Sequence, residues 1–71
     1  MKITVSELIN DVLTGKMPKT VKFQNCLYSA DFENKTYINI YGVHLWSVLV
    51  GVLENYDMRV NDMRIEVIEW K

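Results

Sequence analysis

At 71 residues the chain buries only about 60% of the surface it exposes when unfolded, so its core is marginal without a staple or a partner. One cysteine, Cys26, excludes an internal disulfide, and one cysteine with one histidine excludes a structural zinc site, which points to a reducing, cytoplasmic setting. Hydrophobic residues at 49% and charged residues at 24% exclude disorder, and a net charge of -1 is too weak to steer a phosphate backbone or to imitate one.

The start, Met1-Lys2-Ile3-Thr4-Val5, turns polar at once, so no secretory signal core is expected, and no apolar run reaches the ~20 residues of a membrane span. Thr4-Val5-Ser6-Glu7 fits a capping box, with Ile3 and Leu8 at the positions of a hydrophobic staple. On a helix, Val5, Leu8, Ile9, Val12 and Leu13 share one face, and Ser6, Glu7, Asn10, Asp11 and Thr14 share the other. Gly15 supplies a left-handed stop and Pro18 prevents resumption, which predicts a helix from Val5 to Thr14.

From Lys19 the period becomes two. Val21 and Phe23 alternate with Thr20, Lys22 and Gln24, which predicts a half-buried strand, and Gln24-Asn25 is the turn that follows. Cys26 to Phe32 sets Cys26, Tyr28, Ala30 and Phe32 against Leu27 and Ser29 until Glu33-Asn34-Lys35 breaks the run. Thr36 to Tyr41 then sets Ile38 and Ile40 against Tyr37, Asn39 and Tyr41, completing a three-stranded meander.

Val43 to Leu53 carries no formal charge, and only His44 and Ser47 have polar side chains there. Its valines favour a strand, but it shows no alternation. Wound as a helix it gathers His44, Ser47, Gly51, Glu54 and Asn55 into an arc of roughly 100°, which predicts a helix from Val43 to Asn55 with an unusually wide apolar surface. Gly51 inside it implies either close backbone packing or a weaker helix. Tyr56 to Asp62 reads as a turn and Arg64 to Lys71 as a strand. There Ile65 and Val67 oppose Ile68 and Trp70, which requires two covered faces or a bulge. The expectation is one small α+β domain over residues 1–71, in the order α-β-β-β-α-β, with helices packed on an antiparallel sheet.

Chemistry is thinly represented. His44 falls on a polar helical arc with no activating partner, Cys26 reads as a small packing residue, and Glu66 and Glu69 read as solvated strand residues. Gly15, Gly42 and Gly51 are isolated and form no phosphate-cradling loop. No catalytic residue, metal ligand or cofactor is therefore assigned, and a non-enzymatic protein is expected. Two binding surfaces remain. Tyr37 and Tyr41 share a predicted strand face while Lys19, Lys22 and Lys35 come from the same meander, the composition of a nucleic-acid stacking platform. Alternatively, the wide apolar helix either packs centrally or leaves Val43, Trp46 and Val50 at a homo-oligomer or partner interface, with Trp46 as anchor.

Two stretches carry a resemblance: Ile3-Thr4-Val5-Ser6-Glu7-Leu8-Ile9 followed by Gly15-Lys16-Met17-Pro18-Lys19-Thr20-Val21-Lys22-Phe23, and Val60-Asn61-Asp62 leading to Glu66-Val67-Ile68-Glu69. They resemble short uncharacterised phage and prophage proteins of Gram-positive bacteria, covering less than half the chain. Val43 to Leu53 departs from that pattern, where a more polar, acidic stretch is expected. The resemblance implies an accessory product in the cytoplasm of an infected cell that binds a host or phage protein, with inhibition of a host or defence system as the further expectation.

Overall fold

In the computed structural model, which describes residues 1–56 and 59–70, the predicted order α-β-β-β-α-β is present with one more strand at its start. The elements are β1 (Lys2–Thr4), α1 (Val5–Leu13), β2 (Thr20–Phe23), β3 (Cys26–Asp31), β4 (Thr36–Ile38), α2 (Leu45–Tyr56), a 3-10 turn (Val60–Asp62) and β5 (Arg64–Glu69). The five strands make one antiparallel sheet in the order β1-β5-β2-β3-β4.

Local chemistry sets both ends of α1. Thr4 Oγ1 accepts from the Glu7 N–H, and the Glu7 carboxylate accepts from the Thr4 N–H, each at 3.1 Å, so the capping box is closed. At the other end Gly15 takes φ +77, Lys16 N–H donates to Asp11 O and Gly15 N–H to Val12 O. These two bonds satisfy carbonyls that the last helical turn leaves open. Ile3, at the staple position before the Thr4 cap, also forms part of β1, opposite Ile65, and is buried in the same cluster as Leu8. A three-residue strand is too short for its period to show in sequence.

The β2–β3 hairpin turns on Gln24 and Asn25, both at positive φ (49° and 64°), the conformation that matches the twist of the flanking strands. Asp31 closes the β3–β4 turn by accepting from the backbone and side-chain N–H groups of Asn34, which hold its carboxyl below the usual carboxylate range. On β5 the sequence alternatives resolve to a bulge. Val21 pairs with Val67 and Lys22 with Glu66, but Thr20 pairs with Glu69, so Ile68 is the extra residue.

Both helices cover the same face of the sheet. Val5, Leu8 and Val12 of α1 and Leu45 and Leu49 of α2 join Ile3, Val21, Phe23, Tyr28, Tyr37, Ile65 and Val67 in one buried cluster. Among the described residues, no buried side-chain nitrogen or oxygen lacks a hydrogen-bond partner. None of the described helices is long and apolar enough to cross a membrane. The expected Tyr56 to Asp62 turn is described only in part: Val60–Asp62 form a 3-10 turn, and Asp57 and Met58 lie outside the described residues.

Two expectations about β4 and α2 need correction. β4 stops at Ile38 rather than Tyr41, because the Asn39 side-chain oxygen accepts from the N–H groups of Tyr41 and Val43 and folds the chain into a loop. Ile40 and Tyr41 consequently stand in solvent, 89% and 79% exposed. α2 starts at Leu45, since Val43 is held in that loop and His44 bridges to Ile38. A Cβ placed on Gly51 would meet nothing within 4 Å, so close packing does not explain this glycine.

Candidate protein-binding site

The wide apolar arc of α2 divides between core and surface. Leu45, Leu49 and Val52 are buried, and Trp46 is half-buried with its ring edge-on to Tyr37, 6.1 Å between centroids at 88°. Val50 and Leu53 remain about half exposed at 52% and 51%. α1 divides in the same way: Val5, Leu8 and Val12 are buried, whereas Ile9 is partly exposed and Leu13 stands largely in solvent.

These leftover side chains face a common space. A groove of about 750 Å³ is lined by Val5 and Ile9 from α1, Trp46, Leu49, Val50 and Leu53 from α2, and Arg59, Val60, Asn61 and Asp62 from the segment before β5. Beyond Ile9 and Trp46 a second hollow of about 350 Å³ continues against Val12, Leu13 and Lys35. The lining is therefore mostly apolar with a few polar members, Arg59, Asn61 and Asp62, the composition of a binding cleft.

Of the three residues expected at an interface, the structure brings Trp46 and Val50 together on this groove. Val43 is exposed in the preceding loop and does not line it. Ile9 and Leu13 share the apolar face of α1 with Val5, Leu8 and Val12, but lie on its margins and widen the exposed surface. Their signal was an apolar arc on α1 broader than a single packed contact uses.

The five residues of the nucleic-acid face are separated. Tyr37 is fully buried and its hydroxyl donates to the Pro18 carbonyl at 2.7 Å, so it cannot stack on a base. The register explains this: Tyr37 pairs with Ala30, one rung from the helix-facing Tyr28 and Val21. Tyr41 lies in the loop after β4. Lys19 pairs with Glu69 at 3.2 Å, both mostly in solvent. Lys22 lies over a shallow hollow with Lys2, Arg64 and Glu66, while Lys35 lies beside α1.

His44 is exposed, with Nδ1 3.5 Å from Thr36 Oγ1, and Cys26 is half-buried against the core. No three His, Cys, Asp or Glu side chains among the described residues come close enough together to hold a metal ion. Compared with protein-family models, curated proteins and solved structures, the chain matches none.

Proposed function

We propose that this chain is a non-enzymatic binding module whose partner is a protein, seated in the groove between α1 and α2. The observation that supports it is the cluster of Ile9, Trp46, Val50 and Leu53, four large apolar side chains left partly open around one cleft of a 71-residue domain. The resemblance to phage accessory proteins gives the setting: the cytoplasm of an infected bacterium, where the module would occupy and inhibit a host or defence protein.

The test is paired capture from such a bacterium with the wild-type chain and Val50→Glu. A charge on this half-exposed side chain should leave the melting temperature nearly unchanged while removing the captured protein. Equal capture by both would reject the groove. A second reading, nucleic-acid association, keeps Lys22 of its five residues in a hollow with Lys2 and Arg64, beside the acidic Glu66. It requires a gel shift that weakens steeply with salt, and no shift at low salt rejects it.

A further inference from the structure

The net charge of -1 conceals an uneven distribution. On the face of the sheet that no described helix covers, Lys2, Glu66 and Lys22 stand side by side in one row across β1, β5 and β2. Arg64 lies two residues before Glu66 on β5 and therefore on the same face. These four side chains, with Gln24 and Asn25 of the β2–β3 turn, line a hollow of about 220 Å³ that has no apolar member. It holds three of the chain's eight Lys and Arg residues and one of its nine Asp and Glu residues, which leaves five cations against eight acids elsewhere.

None of the three cations makes an ion pair with another of the described residues; the salt bridge of this sheet, Lys19 with Glu69, lies at the far end of β5. Strands about 4.8 Å apart put the Lys2 and Lys22 backbones about 10 Å from each other across Glu66, with Arg64 about 7 Å along β5. Because β5 is hydrogen-bonded to both β1 and β2, this triangle is set before any ligand arrives. Only the side-chain heads need to converge, which keeps the ordering cost low.

The lining also selects among anions. No aromatic side chain borders the hollow, so it offers nothing on which a base could stack. A phosphate monoester carries about -1.5 to -2 at neutral pH and three strong acceptor oxygens. That charge matches a local excess of two cations, whereas a carboxylate would meet only half of it. Gln24 and Asn25 add uncharged amide donors beside the cationic heads.

We infer that this hollow binds a terminal phosphate group, with Lys2, Lys22 and Arg64 as its charged ligands and Glu66 as the acid that limits its affinity. The site is separate from the α1–α2 groove, with which it shares no lining residue. It is also narrower than a nucleic-acid platform, because it takes one phosphate end and does not track a backbone.

Titration of the 15N-labelled chain with inorganic phosphate, followed by amide shifts at constant ionic strength, tests the assignment. Phosphate should move the amides of Lys2, Lys22, Asn25 and Arg64 saturably, and acetate should not. Lys22→Gln and Arg64→Gln should each weaken binding by about two- to fivefold, and Glu66→Gln should tighten it by a similar factor. All three side chains lie on the open face, and unchanged melting checks that the variants fold. Val50→Glu, which alters the groove, should leave phosphate binding as it is.

Shifts that do not saturate, that acetate reproduces, or that Glu66→Gln leaves unchanged would overturn the inference. A single-stranded oligonucleotide without a terminal phosphate that binds this face more tightly than inorganic phosphate would give it to a nucleic-acid backbone and overturn the single-group site. Loss of phosphate binding in Val50→Glu would also overturn it, since the hollow would then not be independent of the groove.

Discussion

Tyr37 shows how much a single position can decide. Its ring lies in the core against Trp46, and its hydroxyl ties β4 to Pro18 in the α1–β2 connection. Burial raises the phenol above its ordinary range, so the folded chain keeps a proton that the unfolded chain releases near pH 10. The contribution is complete below that pH and is lost as pH rises through the folded-state value, at about 1.4 kcal/mol per pH unit. Urea unfolding between about pH 9 and pH 11 should show falling stability, and Tyr37→Phe should show a shallower fall. Tyr28, also raised by burial, leaves a residual slope in that variant. At neutral pH Tyr37→Phe should cost about 1 to 3 kcal/mol, because the buried Pro18 carbonyl loses its hydroxyl donor. An unchanged midpoint at neutral pH would contradict this account.

Among the elements, α2 best separates what sequence reveals from what it conceals. Its helical period and its wide apolar arc were legible because both depend on spacing within one segment, as did the Thr4–Glu7 box and the Gln24-Asn25 turn. Which part of the arc stays open was not legible, since that depends on where the sheet sets α1. The end of β4 was hidden for another reason: Ile-Asn-Ile-Tyr alternates like a strand, and a side-chain oxygen of Asn39 overrides the alternation. Gly51 gives α2 a direct test. With open space beside it and no positive φ, Gly51→Ala should stabilise the chain by about 1 kcal/mol, a rise of about 4 to 8 °C in melting temperature. A fall in melting temperature would show that the glycine serves a close contact after all.

At the scale of the whole molecule, the described helices lie on one face of the sheet, and its other face carries Lys2, Lys22, Leu27 and Glu66 in register across four strands. One buried cluster therefore holds the domain together, with little surplus at this size. Any association that covers the α1–α2 groove adds to that stability by mass action.

The position of β5 has a consequence for biosynthesis. It is the last strand in chain order, yet it lies between β1 and β2, and the Val67 N–H donates to the carbonyl of Met1 at 2.7 Å. Until residues 64–69 have left the ribosome, β1 has no neighbour in the sheet and β2 has only β3. The β2–β3–β4 meander can form while translation continues, but α1 and β1 must wait with their apolar side chains uncovered. A release-arrested nascent chain lacking residues 64–69 should thus remain protease-sensitive in its first twenty residues, and extension through Glu69 should protect them together.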